Sequence, residues 1–344
     1  MRRFLFMVIA VGLLGAYLYY AWGWDGERLY RETLGRIPYL SSQTATLPLG
    51  QRGTGVHWEE GAPLETSRLQ GGTALVDGHV YVVGGLDGYG RTLNSLEIYD
   101  LAKDTWALGP IMPQALHHPA VTTDGKLIYV VGGLIGLSRQ TVDQAWVYDP
   151  SDREWRELAK PGDFRGGAAA AFLDGKLYVM GGVTDAGVSA SGEVYDPVKD
   201  SWNDLPDMSL ARQDLAAFAL DGKVYAVGGR DSGTDVTNKV EAYDPQTGKW
   251  QPVASLPTKR SDFAVAIWNG QAYVLGGELP GKSVLGDVDV FDPKAGTWKA
   301  LTTVLPHARH GLGAAAWNDR LYVIGGGRRP GWSVTGLNEI LFLK

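Results

Sequence analysis

Hydrophobic residues follow two different patterns along this chain. Residues 4–22, FLFMVIAVGLLGAYLYYAW, form one run without a charged side chain. At ~1.5 Å rise per residue such a run makes roughly 28 Å of helix, close to the hydrocarbon thickness of a bilayer. Beyond residue 54 the apolar stretches become short and are interrupted on a fixed beat. Glycine pairs stand at Gly84-Gly85, Gly132-Gly133, Gly181-Gly182, Gly228-Gly229, Gly276-Gly277 and Gly325-Gly326, at intervals of 48, 49, 47, 48 and 49 residues. Three residues before each pair is a tyrosine: Tyr81, Tyr129, Tyr178, Tyr225, Tyr273 or Tyr322. Upstream of these lie two-residue turn signals, Asp77-Gly78, Asp124-Gly125, Asp174-Gly175, Asp221-Gly222, Asn269-Gly270 and Asn318-Asp319. Asp-Gly and Asn-Gly accept the positive φ of a type I′ turn, so each copy is expected to contain a tight antiparallel hairpin.

Downstream of five glycine pairs a strand ends in an aromatic residue and aspartate, at Tyr99-Asp100, Tyr148-Asp149, Tyr195-Asp196, Tyr243-Asp244 and Phe291-Asp292. A tryptophan follows each aspartate by six residues: Trp106, Trp155, Trp202, Trp250 and Trp298. Each copy therefore holds four strands. A four-stranded twisted sheet cannot bury both of its faces alone, whereas radial stacking covers both with neighbouring copies. The sixth copy stops in its third strand, at Asn338 to Phe342. Trp58 precedes Arg68 by ten residues, as Trp250 precedes Arg260. Residues 55–60 are thus expected to supply the missing fourth strand, closing the ring from the N-terminal side.

A hydrophobic run, a glycine pair and then spaced tyrosine and tryptophan resemble the kelch repeat, six times over residues 55–344. The resemblance implies an all-β, six-bladed kelch β-propeller. The expected organisation is a transmembrane signal-anchor helix in residues 1–22, a linker or stalk in residues 23–54 and the propeller in residues 55–344. Kelch propellers include adaptor domains, sugar-active enzymes and structural modules, so the resemblance leaves function to be argued from the site.

Composition narrows the choice. Glycine numbers 47, tryptophan 12 and tyrosine 16, which suits short strands and tight turns. The 32 lysines and arginines are outnumbered by 38 aspartates and glutamates, giving a net charge of −6. That sign argues against a nucleic-acid partner. Cysteine is absent, which excludes disulfides, thiolate metal sites and a lipoprotein linkage. Arg2 and Arg3 precede the apolar run while Asp25, Glu27 and Arg28 follow it. The positive-inside rule then predicts a single-pass membrane protein with a cytoplasmic N-terminus and an extracytoplasmic propeller. A cleaved signal peptide ending near Ala21-Trp22-Gly23 is the alternative and exports the propeller equally.

The loops between strands two and three, and those between blades, share one face and vary in sequence, so binding is expected there. Sixteen residues before the glycine pairs this face receives Arg68, Arg165, Arg212, Arg260 and Arg309, while blade two has Leu116 followed by His117 and His118. Five arginines at a channel mouth would attract carboxylates; the alternative is that they hydrogen-bond loop carbonyls. Blades four to six deviate from the repeat with Arg230, Glu278 and Arg328 just after the glycines, and His307 and His310 add titratable groups. The two histidine pairs show no carboxylate at ligand spacing, so neither a metal nor another cofactor is expected. The leading expectation is a membrane-tethered binding or scaffolding propeller for a protein partner or an anionic glycan, using Arg68, Arg165, Arg212, Arg230, Arg260, Glu278, Arg309 and His310. One alternative is a sugar-active enzyme, similar in architecture to the N-acetylneuraminate epimerases, with Arg230, Glu278, Arg309 and His310 around a sugar acid. Another is a structural subunit of a membrane complex.

Overall fold

The computed structural model describes residues 55–344. The expected anchor and linker, residues 1–22 and 23–54, lie outside the described residues. Among the described residues no helix is long and apolar enough to cross a membrane. The chain forms six antiparallel four-stranded sheets. Blade one is typical: Gly72–Val76, His79–Val83, Leu96–Asp100 and Thr105–Leu108, paired in chain order. The hairpin between its first two strands turns on Asp77 and Gly78, at φ 46° and 70°, the left-handed pair that a type I′ turn requires. Blade two differs from expectation. It carries one extra residue, so its first strands, Ala120–Thr123 and Ile128–Val131, are joined by a wider loop. There the Asp124 side chain accepts from the backbone N–H groups of Lys126 and Leu127, at 2.8 and 2.7 Å.

The blades share six hydrophobic clusters, one at each blade-to-blade interface. Between blades one and two, for instance, Tyr81, Val83 and Leu96 meet Ile128, Val130, Trp146 and Tyr148. The signature aromatics serve this contact. Tyr99 stacks on Trp106 with ring centroids 4.8 Å apart. The Trp106 indole N–H crosses to blade six's closing segment, donating to the Ala62 carbonyl at 2.7 Å. Trp202 and Trp250 do the same, to Ala159 and Pro206. A buried indole gains both area and a partner for its polar edge in this way.

The first glycine of each pair allows the next blade to approach. A β-carbon at Gly132, where φ is 57°, would lie 2.2 Å from the Arg165 carbonyl oxygen. Closure is N-terminal, as the register predicted. His57–Gly61 pairs antiparallel with Asn338–Phe342, so the last blade combines both ends of the described chain.

Candidate functional site at the channel mouth

The five repeat arginines do not stand open at the mouth. Arg68, Arg165, Arg212, Arg260 and Arg309 are all buried, and each pairs with an acid on the third strand of its own blade: Glu97, Glu193, Glu241, Asp289 and Glu339. Each also donates to the carbonyl of its blade's first signature glycine; Arg212 Nη1 reaches Gly228 O at 3.0 Å. Burial pulls the Arg212 guanidinium down to about 10, with Glu241 opposing, and leaves it charged at neutral pH. Of the two expectations for these residues, the geometry is that of hydrogen bonding to loop carbonyls, strengthened by an ion pair. In blade two both members are exchanged together: Leu116 takes the arginine position and Trp146 the acid position, and both are buried in one cluster. His307, half-buried, holds the far oxygen of Glu339 at 2.7 Å.

Two residues after each arginine position the chain enters the left-handed region, at Gln70, His118, Gly167, Asp214, Asp262 and Gly311, with φ between 51° and 63°. That turn aims each N–H at the carbonyl of the preceding blade. Gln70 donates to Gly311, His118 to Gln70, Gly167 to His118, Asp214 to Gly167, Asp262 to Asp214 and Gly311 to Asp262, at 2.7 to 3.0 Å. A closed ring of backbone hydrogen bonds thus encircles the channel mouth, around a cavity of about 110 Å³ lined by the same six residues and their successors.

The polar side chains gather on this ring. Arg230 and Glu278, singled out by their departure from the repeat, bridge to Gln213 and Ser261, the residues that follow Arg212 and Arg260. Arg230 Nη2 reaches Asp214 Oδ2 at 2.7 Å. His310 Nδ1 lies 2.8 Å from Asp262 Oδ2 and 3.7 Å from Glu278, while its Nε2 faces the carbonyls of Arg329 and Gly331 at 3.1 and 3.0 Å. Burial works to lower His310, but the hydrogen bond and charge of Asp262, with Glu278 behind, raise it to about 9. Burial works to raise Asp262, yet His310 holds it well below the usual carboxylate range. Asp214 and Glu278 are both pushed up by burial, opposed by Arg230 and His310 respectively. Burial drives His118 well below its ordinary value. Asp262, Glu278 and His310 offer ligand atoms within 4.8 Å of one another. Both His310 nitrogens face acceptors, Nδ1 the Asp262 carboxylate and Nε2 the two carbonyls, so the ring donates twice as an imidazolium.

The structure places Arg230, Glu278 and His310, which the sequence singled out, beside this ring, together with Asp214, Asp262 and Gln70, which it did not. A signal existed: two residues past the arginine, the repeat reads Gln, His, Gly, Asp, Asp and Gly. Above the ring the loops between strands two and three are exposed. Trp332 of blade six packs on the bare α-carbon of Gly90 in blade one, where a β-carbon would meet its ring at 1.8 Å. Tyr89, Leu137 and Trp332 are exposed there, alongside the exposed Arg139, Arg328 and Arg329.

Residues 51–182 and 165–326 match the model of the KLHDC2/KLHL20/DRC7 Kelch-repeats domain, which together cover most of the chain. The chain belongs to the kelch-repeat family. Among curated relatives, this kelch propeller is 34% identical to Kelch-like protein 40 of Mus musculus over 139 residues, 40% of this chain and 22% of that protein. It is 28% identical to Beta-scruin of Limulus polyphemus over 141 residues, 39% of this chain and 15% of that protein. The matches thus span about a fifth or less of those relatives' length. A solved structure titled "Structure of YjhT" superposes with a TM-score of 0.68 at 18% identity, over 81% of this chain and 96% of that one. At that identity the likeness is one of fold.

Proposed function

We propose that this kelch propeller is a binding module that takes an acidic segment of a protein partner across its channel mouth, on the loop face of blades six, one and two. The observation that carries the reading is the co-location of exposed Trp332, Tyr89 and Leu137 with exposed Arg139, Arg328 and Arg329 on that face. Aromatic and guanidinium groups are the residues through which interfaces gain most of their affinity, and the cationic sign selects an acidic partner. The five buried arginines act at one remove, holding the loops that present these groups. The uncharged run of residues 4–22 supports a membrane tether for the module, with the propeller on the extracytoplasmic side. An anionic glycan shares the required charge but makes less use of the apolar Leu137. The sugar-acid reading needs an open guanidinium beside Glu278 and His310, whereas Arg309 is held by Glu339 and Arg230 by Asp214.

A displayed library of acidic peptides provides the test. Peptides selected on the natural chain are expected to lose most of their binding to Trp332→Ala with Arg329→Glu, and to keep it on Val198→Ala, an exposed change in a turn on the opposite face. Selection of peptides without acidic residues, or equal binding by both variants, overturns the reading.

A further inference from the structure

The ring at the channel mouth holds glycine in blades three and six, and across each glycine the flanking side chains reach toward one another. Across Gly311 the Gln70 amide donates to Asp262 Oδ2 at 3.1 Å, an ordinary hydrogen bond. Across Gly167 the corresponding meeting is incomplete. His118 Nε2 and Asp214 Oδ1 stand 3.8 Å apart, and both atoms are buried without a hydrogen-bond partner among the described residues. A β-carbon at Gly167 would lie 2.6 Å from that Asp214 oxygen, so only glycine leaves it in place.

The protons around this gap can be assigned. His117 Nε2 lies 3.0 Å from the Gly136 carbonyl, which only accepts, so this nitrogen carries a hydrogen. The bare His117 Nδ1 then accepts from His118 Nδ1, to which it is hydrogen-bonded. In the neutral His118 ring this leaves Nε2 as a lone pair aimed at a carboxylate oxygen. Two acceptors thus face one another across 3.8 Å. Their separation exceeds the ~3.2 Å limit of a direct hydrogen bond, and it is within a few tenths of an ångström of the ~3.3–3.6 Å between two ligand atoms each ~2.0–2.2 Å from one tetrahedral ion. Both side chains are also anchored as metal ligands usually are: the imidazole donates through its other nitrogen to His117, and the second Asp214 oxygen is held by Arg230 at 2.7 Å.

We propose that His118 Nε2 and Asp214 Oδ1 are the protein ligands of a divalent transition-metal ion of the zinc class, bound across Gly167 at the channel mouth. A mixed imidazole and carboxylate pair suits Zn²⁺, Co²⁺ or Ni²⁺ better than Mg²⁺ or Ca²⁺. Both residues line the 110 Å³ cavity, from which water or a donor atom of a bound partner would complete the shell. The site is separate from the Asp262, Glu278 and His310 group, whose imidazole is hydrogen-bonded at both nitrogens. It also revises the sequence expectation of no metal, because the carboxylate partner of His118 lies 96 residues away and shows no motif spacing.

The test uses the full-length chain after chelation and dialysis, titrated calorimetrically with Zn²⁺ alone and examined with Co²⁺. The natural chain is expected to bind one zinc equivalent. Asp214→Asn and His118→Gln are expected to weaken it at least about tenfold, while Asp185→Asn, an exposed loop acid elsewhere on the same face, leaves it unchanged. The cobalt form is expected to show a paramagnetically shifted imidazole N–H proton, a readout that needs no variant. Absence of zinc and cobalt binding by the natural chain overturns the proposal and leaves the pair sharing a proton. Binding that both substitutions leave intact, or cobalt binding without the shifted proton, overturns it too.

Discussion

His310 donates from both ring nitrogens, to Asp262 on one side and to the carbonyls of Arg329 and Gly331 on the other. Its charged form is therefore the one the fold holds, and it is raised from 6.5 to about 9, Asp262 outweighing burial. The sign follows directly. A base raised in the folded state contributes stability that is complete below its unfolded value, near 6.5, and is lost as pH rises through about 9. The facing titratable groups are Asp262 and Glu278, both of blade five. Chemical denaturation at pH 6.5 and pH 9.5 is expected to show the natural chain losing up to roughly 3 kcal/mol between the two. His310→Gln is expected to lose most of that difference. A variant with the same pH dependence as the natural chain would place the titration elsewhere.

At the level of the blade, five of the six are built around one ion pair, whose arginine precedes the first strand and whose acid lies near the start of the third. The acid was legible and went unread. It stands three residues before the strand-ending Asp100, Asp196, Asp244 or Asp292, as Glu97, Glu193, Glu241 and Asp289, and the one blade without the arginine carries Trp146 in its place. Joint replacement of both partners is what burial demands, since a lone buried charge is far more costly than an apolar pair. Arg212→Leu alone is expected to destabilise the chain by about 3–5 kcal/mol, because Glu241 is then buried without its partner. Arg212→Leu with Glu241→Trp, the blade-two solution, is expected to recover much of that loss in a denaturant titration. Additive losses in the double variant would show that the pair is not coupled. Being buried, the repeat arginines leave the outer loops as the exposed part of this face.

Residues 55–344 have no single core. Six interfaces each bury one cluster, and every interface depends on both neighbouring blades. Closing the circle therefore matters to all of them, and His57–Gly61 closes it by pairing with Asn338–Phe342. A chain lacking residues 1–50 is expected to melt as a folded propeller. One lacking residues 1–62 exposes the edge of the last blade, together with the groove that held Trp58, whose indole donates to Thr303 at 3.0 Å. It is expected to aggregate or to melt well below the longer chain in a thermal scan. Equal melting temperatures would mean that the closing strand adds nothing to the ring.

The number of blades, the strand order and the N-terminal closure are all readable from the chain alone. These follow from turn residues, glycine pairs and aromatics whose roles are local or repeat with a fixed spacing: Asp77-Gly78 can turn only one way, and Gly132 admits the next blade because it has no side chain. The sequence also pointed to Arg230, Glu278 and His310 through their departure from the repeat. Which way the repeat arginines face, and which residues share the mouth, depends on how the blades converge. Asp262 meets His310 across 48 residues, and His118 meets Asp214 across 96, distances set by the circle and not by any spacing along the chain. A ring brings the same position of every blade to one axis, so its chemistry depends on the side chains in that column and becomes readable once the column is known to converge.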